Sequence, residues 1–210
     1  MPDIEAFIAG FKRFQKNWLG SDQTLFDSLR QGQSPKAILI GCSDSRVDPA
    51  ILSDCAPGDL FVVRNVANLV PPCEQDSGLH GVSAALEYAV CHLEVEHIIV
   101  MGHSQCGGIK GLMEGICECS EHSFIANWVG IAQKAKERVL QEFPGKPEEM
   151  QIQACERASI LLSLQNLMTF PWIERRVEDG QLALHGWYFD LQAGTLSGYS
   201  PASGHFEILS

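Results

Sequence analysis

The sequence predicts a single α/β domain with a mostly parallel sheet, and three observations carry this prediction. Two short apolar runs, 37–40 and 98–101, are rich in β-branched residues, as is typical of strands buried on both faces of a parallel sheet. Each run leads directly into a polar, glycine-containing loop, where an open α/β sheet places its ligand site. Helical patterns separate and follow these runs, and 210 residues suit one domain with a good core.

The chain divides into an N-terminal helical arm, residues 1–30, and an α/β core, residues 31–210. Hydrophobic periodicity and turn residues predict the individual elements. Helices are expected at 3–18, 24–29, 78–93, 123–142, 148–168 and 171–180, with a brief turn at 49–52. Strands are expected at 37–40, 59–65, 97–101, 182–190 and 195–199. The sheet would thus have about four to five strands flanked by helices, and the last ten residues either add an edge strand or stay loose.

The helix of the N-terminal arm carries four aromatic residues at helical spacing, Phe7, Phe11, Phe14 and Trp18. Such a stripe packs either on the core of its own chain or against a partner subunit. The sequence leaves both interpretations open.

Composition excludes several classes of partner. The formal net charge of −11 argues against nucleic acid and against an anionic membrane, whereas a local arginine could still bind a small anion. No apolar stretch reaches transmembrane length and the first residues lack the features of a signal peptide, so a cytoplasmic location is expected. The eight cysteines, spread over the chain, are not expected to form a disulfide framework. Cys117 and Cys119 are interpreted as exposed loop thiols, with a structural metal or redox pair as the alternative.

Three soft ligands follow the two buried strands. Cys42 ends the first run, and His103 and Cys106 follow the second. Two thiolates and an imidazole without an obvious fourth protein ligand are typical of a catalytic zinc with an open position. Gly107 and Gly108 open a helix at this point, and its free N–H groups favour a thiolate or a bound anion.

Other interpretations of Cys42, His103 and Cys106 have less support from the sequence. The three ligands could be unrelated core residues, since buried free cysteines are common. Cys42 could be the nucleophile of a phosphatase-like loop with Arg46, but the carboxylate of Asp44 would repel a phosphate dianion. A dithiol redox function would require a Cys-x-x-Cys motif, which the sequence lacks.

Asp44 and Arg46 lie in the first ligand loop. They could form a salt bridge that only pins the loop. Beside a zinc site the pair has a further use, because Arg46 would keep Asp44 ionised and oriented to accept a hydrogen bond from zinc-bound hydroxide. We favour this second role.

Three motifs closely resemble those of the β-class carbonic anhydrases, in the order that the family has them. They are Cys42-Ser43-Asp44-Ser45-Arg46, Arg64-Asn65-Val66-Ala67-Asn68 and His103-Ser104-Gln105-Cys106-Gly107-Gly108. The resemblance covers about residues 24 to 190. It implies one Zn²⁺ per subunit on Cys42, His103 and Cys106, with the Asp44–Arg46 pair beside it. The implied activity is that of a lyase, the zinc-dependent reversible hydration of CO2 to bicarbonate and a proton.

Further segments are similar to the plant-type branch of this family. They include Gly32-Gln33-Ser34-Pro35, Phe61-Val62-Val63-Arg64-Asn65, Asn68-Leu69-Val70-Pro71-Pro72 and Glu87-Tyr88-Ala89-Val90. The similarity implies a substrate pocket built from Gln33, Phe61, Val66, Tyr88, Gly107 and Gly108, partly across a subunit interface. It also implies a homodimer or a dimer of dimers, and a proton-transfer role for His92. The alternative function is a non-catalytic zinc-binding interaction domain, against which the intact Asp44, Arg46 and Gln33 argue.

Overall fold

The computed structural model of the protein describes residues 4–19, 24–74, 76, 78–115 and 123–210. Six strands occur within these ranges: β1 (Ala37–Cys42), β2 (Leu60–Asn65), β3 (His97–His103), β4 (Ala183–Asp190), β5 (Thr195–Ser200) and β6 (His205–Ile208). They form one sheet in the order β2-β1-β3-β4-β5-β6. The first four strands in this order run parallel, and β4, β5 and β6 pair antiparallel.

The mostly parallel sheet is therefore confirmed, but it has six strands rather than four to five. The additional strand is β6, which pairs antiparallel with β5 from Ser197↔Ile208 to Ser200↔His205. This pairing takes up the final segment that the sequence left either as an edge strand or as loose chain. Because most residues of β6 are exposed, its sequence lacks the apolar pattern by which a buried strand is recognised.

Nine α-helices occur within the described ranges, and most lie where the sequence predicts them. They are α1 (Ile4–Leu19), α2 (Thr24–Leu29), α3 (Pro49–Leu52), α4 (Gly81–Glu87), α5 (Gly107–Glu114), α6 (Phe124–Val129), α7 (Gln133–Glu142), α8 (Glu148–Leu167) and α9 (Pro171–Glu178).

Two of the predicted helices are interrupted. The helix expected over 78–93 is α-helical only in α4 and continues as a π-helical turn, Tyr88–His92. The helix expected over 123–142 is divided by a 3₁₀ turn, Gly130–Ala132, which begins at a glycine, a poor helix former.

The parallel strands lie at the centre of the core. All six residues of β1 are buried, and so are all residues of β3 after the first. One face of these strands presents Ile38, Ile40, Ile98 and Val100 to residues of α4, α8 and α9. Burial on both faces explains why β1 and β3 have continuous apolar runs rather than alternating ones.

The chain forms two compact units, Met1–Ser34 and Pro35–Ser210. In the first unit the rings of Phe14 and Phe26 meet edge to face at 5.8 Å, and Trp18 lies beside Phe14. No residue of α1 is buried.

The cysteines of the described residues are all free thiols. Cys117 and Cys119 lie outside the described residues, so their interpretation as loop thiols stays a prediction. Among the helices that the structure describes, none is both long and apolar enough to cross a membrane.

Candidate metal centre

Three potential metal ligands converge at one edge of the sheet. Cys42 is the last residue of β1, His103 is the last residue of β3, and Cys106 caps the N-terminus of α5. Because β1 and β3 are neighbouring parallel strands, their carboxyl ends meet at this edge. All three side chains are buried, and their ligand atoms lie within 4.8 Å of one another. The convergence predicted from the sequence is confirmed.

The spacing of the ligands fits zinc. The Sγ atoms of Cys42 and Cys106 are 4.0 Å apart. A tetrahedral Zn²⁺ with Zn–S bonds of about 2.3 Å holds two sulfur ligands about 3.8 Å apart. Only a small adjustment would therefore place both thiolates on one ion.

The imidazole of His103 is oriented for metal binding. Its Nδ1 lies 2.9 Å from the carbonyl oxygen of Ser104, which can only accept, so Nδ1 carries the proton and Nε2 the lone pair. Among the residues that the structure describes, the buried Nε2 has no hydrogen-bond partner. A buried polar atom in this state is unfavourable unless a ligand satisfies it. A metal ion between Nε2 and the two sulfur atoms would do so.

The two thiols influence each other's protonation strongly. The hydrogen bond with Cys106 lowers the pKa of Cys42 against the opposing effect of burial, with help from the backbone N–H groups of Asp44 and Ala67. The same hydrogen bond with Cys42 and burial raise the pKa of Cys106. Two buried thiolates this close repel each other, so a cation is needed before both can ionise. Divalent zinc meets this requirement.

Asp44 and Arg46 form a tightly bonded pair next to the ligands. Nε of Arg46 donates to Oδ1 of Asp44 at 2.9 Å, and one terminal nitrogen donates to Oδ2 at 2.7 Å. These bonds, assisted by the Arg46 backbone N–H, hold the pKa of Asp44 well below its usual range despite partial burial. Oδ2 of Asp44 lies 4.0 Å from Nε2 of His103. An ionised, oriented carboxylate thus lies next to the candidate metal position.

Arg64 fixes the backbone of the first ligand loop, a role that the sequence analysis missed. Its guanidinium donates to the carbonyl oxygens of Cys42 and Asp44, at 2.9 and 2.7 Å, and to the carboxylate of Asp48 at 2.8 Å. The signal was present in the sequence, because a charged residue near the end of a half-buried strand needs polar partners.

A tight turn brings backbone N–H groups to the ligands. Ala67 is buried and has a left-handed backbone, with φ of 64°. A Cβ on Gly108 would lie 2.7 Å from Cγ1 of Val66 and 3.0 Å from Cβ of Ala67. Only glycine therefore allows α5 to approach this turn so closely. The backbone N–H groups of Gly108 and Ile109 partly offset the raised pKa of Cys106, as expected at a helix N-terminus.

Glu156 is a second residue that the sequence analysis missed. It lies in α8, is only 3% exposed, and accepts a 2.9 Å hydrogen bond from the backbone N–H of Cys106. Its other oxygen accepts a 2.8 Å hydrogen bond from the hydroxyl of Tyr188. Burial raises the pKa of this carboxyl group, and both hydrogen bonds act in the opposite direction.

The other predicted pocket residues do not all lie near the metal ligands in this chain. Val66 packs with the residues around Cys42. The rings of Phe61, Tyr88 and His92 form a separate row, with centroid distances of 5.9 and 5.5 Å. Phe61 pairs with Ile38, four residues before Cys42 in β1, which corresponds to about 13 Å along the strand. Gln33 is exposed and belongs to the N-terminal unit, and its role stays a prediction.

Comparison with known proteins gives consistent matches. Residues 37–196 match the family described as carbonic anhydrase. Beta carbonic anhydrase 5, chloroplastic, of Arabidopsis thaliana is 46% identical over 180 residues, which are 86% of this chain and 59% of that protein. This chain therefore spans about three fifths of that relative's length.

Solved structures agree with this result. The β-carbonic anhydrase CcaA superposes with a TM-score of 0.91 and 35% identity, over 99% of this chain and 92% of that chain. One of two tetrameric β-carbonic anhydrases from Sordaria macrospora superposes with a TM-score of 0.73 and 28% identity, over 98% and 93% of the two chains.

Proposed function

This chain belongs to the β-carbonic anhydrase family, and from that premise we propose that it catalyses the reversible hydration of CO2 to bicarbonate and a proton. The observation that carries the proposal is the buried set of Cys42, His103 and Cys106 with the ionised carboxylate of Asp44 beside it. Zinc bound by the triad would act as a Lewis acid and lower the pKa of a coordinated water to about 7.

Asp44 would orient the nucleophilic oxygen. Because Arg46 keeps its carboxylate ionised, Asp44 can accept a hydrogen bond but cannot donate one. A nucleophilic oxygen that donates its hydrogen to Asp44 would be held in a fixed orientation. A lone pair on that oxygen would then remain free for attack on CO2. Arg46 is itself held, since one guanidinium nitrogen donates to the carbonyl oxygen of Gln105 at 3.1 Å.

The remaining predicted residues would hold the substrate. Val66 lies on the turn beside the metal ligands and would form one apolar wall. Phe61 and Tyr88 lie farther along the sheet in this chain, so we place them in the pocket of a neighbouring subunit, which would explain why Tyr88 is 46% exposed. Gly107 and Gly108 would offer N–H groups to the bicarbonate oxygens. Gln33 keeps the substrate-binding role that the resemblance implies.

The subunit arrangement that we infer is a homodimer or a dimer of dimers. It is supported by the exposed apolar residues of α1, where Phe7 is 64% and Phe11 is 58% exposed. The Sordaria macrospora relatives are described as tetrameric. For location we retain the prediction of the cytoplasm, although the Arabidopsis thaliana relative is described as chloroplastic.

A hydration assay tests the proposal against the alternative of a non-catalytic zinc-binding domain. Zinc-replete protein should contain one zinc per chain and should accelerate CO2 hydration. Cys42→Ser should lose both zinc and activity, whereas Cys91→Ser, which alters an exposed free thiol, should keep both. Protein that holds one zinc per chain but leaves the hydration rate unchanged would favour the non-catalytic alternative.

A further inference from the structure

Two histidines lie side by side at the opposite end of the sheet from the metal centre. His97 is the first residue of β3 and His185 is the third residue of β4. Nδ1 of His97 and Nε2 of His185 share a hydrogen bond of 3.2 Å, whose proton a bound metal ion would replace, and the two rings cross at 61°. Because His103 is six residues farther along β3, the pair lies about 20 Å from the Cys42–His103–Cys106 set.

The sheet holds this pair in place. In the parallel pairing of β3 and β4, His97 is opposite Ala183 and Ile99 is opposite His185. The two histidines therefore project from the same face of adjacent strands in diagonal positions. His97 is exposed and His185 is half-buried, so solvent reaches the pair on two hydrogen-bonded strands of the sheet.

The separation of the two nitrogens matches the geometry of a chelated metal ion. Two metal–nitrogen bonds of about 2.1 Å place their nitrogens about 3.0 Å apart at a right angle and about 3.4 Å apart at the tetrahedral angle. The observed 3.2 Å lies between these limits. From this geometry we propose that His97 and His185 form a second metal site, which binds a late first-row divalent cation such as Ni²⁺, Cu²⁺ or Zn²⁺.

The surroundings are compatible with a cation at this position. Burial, together with repulsion from His97, lowers the pKa of His185, so its imidazole is neutral near pH 7 and a lone pair is available. Lys36 precedes Ala37, which is opposite His97 in the sheet, and its ammonium group is paired with Glu96 at 2.5 Å, so it does not add an uncompensated positive charge. The chain's net charge of −11 also favours a cation. Solvent would complete the coordination, and imidazole ligands select late transition metals over Mg²⁺.

Titration of the zinc-loaded protein, without a polyhistidine tag, by Ni²⁺ tests the site. Calorimetry should show one nickel ion per chain in addition to the resident zinc. Because the second nitrogen binds within an already formed complex, His97→Ala and His185→Gln should each weaken nickel binding about a hundredfold. Zinc content should stay at one per chain during the titration, and Mg²⁺ should give no binding heat.

The chain also offers a matched control. His80 lies beside Asp76 and Glu74, the other group of potential metal ligands among the described residues. His80→Ala should leave the nickel affinity unchanged. The proposal is overturned if the wild type binds no additional nickel, or if nickel uptake releases zinc. It is also overturned if His80→Ala abolishes binding while His97→Ala and His185→Gln do not.

Discussion

The backbone N–H of Cys106 donates a 2.9 Å hydrogen bond to Oε1 of Glu156, a carboxyl group that is only 3% exposed. Tyr188 donates to the second oxygen, and the guanidinium of Arg157 lies 4.1 Å from the centre of the Tyr188 ring. This chain of contacts connects α8 and β4 to a single metal ligand. It fixes the peptide that carries Cys106, and therefore the direction in which its thiolate points.

We predict that Glu156→Ala weakens both folding and zinc retention. The substitution leaves the Cys106 N–H without its acceptor inside the core, at a cost of about 1 to 3 kcal/mol in the free energy of unfolding. Denaturant unfolding measures this loss, and the rate of zinc transfer to a chelator should rise. Glu149→Ala changes an exposed carboxylate of the same helix and should alter neither quantity appreciably. Zinc transfer at the wild-type rate in Glu156→Ala would contradict the positioning role.

The second prediction concerns Asp44. Asp44→Asn should keep zinc but lower CO2 hydration about 10- to 100-fold, because the amide can donate to the nucleophile and binds Arg46 less well. Zinc analysis and the hydration rate are measured on the same sample. Asp59→Asn changes a carboxylate that accepts a bond from Ala56 in an exposed turn and is the control. Hydration at the wild-type rate in Asp44→Asn would refute the role of the pair.

The behaviour of the protein at acid pH follows from the interaction between Asp44 and Arg46. Arg46 lowers the pKa of Asp44 in the folded state, so the stabilising interaction is complete above the ordinary pKa of an aspartate. It is lost only as the pH falls through the lower, folded-state value. Loss of activity near neutral pH therefore should not arise from Asp44. Arg46→Ala removes the largest cause of the shift, and it should raise the pH at which Asp44 protonates and reduce activity.

The metal ligands could be predicted from the sequence because their placement depends on strand order alone. β1 and β3 are recognisable in the sequence as continuous apolar runs. Neighbouring parallel strands have their carboxyl ends at the same edge of the sheet. Glu156 could not be predicted in this way. The buried side of α8 mixes apolar residues with three polar ones, Glu156, Ser159 and Ser163. The sequence of this helix therefore has no continuous apolar stripe to indicate which side faces the core. Its partner is also 50 residues away in the chain.

The row formed by the rings of Phe61, Tyr88 and His92 illustrates a second limit of prediction from the sequence. The spacing of Tyr88 and His92 predicts that they share a side of one helix, and the structure places their rings 5.5 Å apart. The sequence did not indicate that this turn is π-helical, since i to i+5 bonding has no distinctive pattern. Nor did it indicate how far from Cys42 the row lies, because that distance depends on the register of β1 and β2.

The third prediction tests His92 as a proton acceptor. Each hydration releases one proton, which the imidazole of His92, beside Tyr88 in the pocket of a neighbouring subunit, would pass to buffer. His92→Ala should lower the maximal rate in dilute buffer, leave kcat/KM nearly intact, and recover on addition of imidazole. His205→Ala changes an exposed histidine of β6 and should behave like the wild type. Equal rates for His92→Ala and the wild type at every buffer concentration would leave His92 without a role.

The last prediction concerns the apolar side of α1. Ile4, Phe7, Ile8 and Phe11 follow the i, i+3, i+4, i+7 pattern, and each is more than half exposed. Burying one such side chain against a second subunit contributes about 1.5 to 3 kcal/mol, so this stripe can contribute substantially to a dimer. Phe7→Ser combined with Phe11→Ser should therefore weaken self-association and lower activity at low protein concentration, because pocket residues would come from the neighbouring subunit.

Light scattering and the hydration rate, measured over a range of protein concentrations, check this. Lys12→Ser combined with Lys16→Ser changes the same helix at charged, exposed positions and should leave the mass unchanged. Deletion of residues 1–20 should have the stronger effect and yield monomers or aggregates without activity. A truncated protein that remains a folded, active dimer would show that α1 is not part of the interface, and the source of the dimer would then have to be sought in residues 35–210.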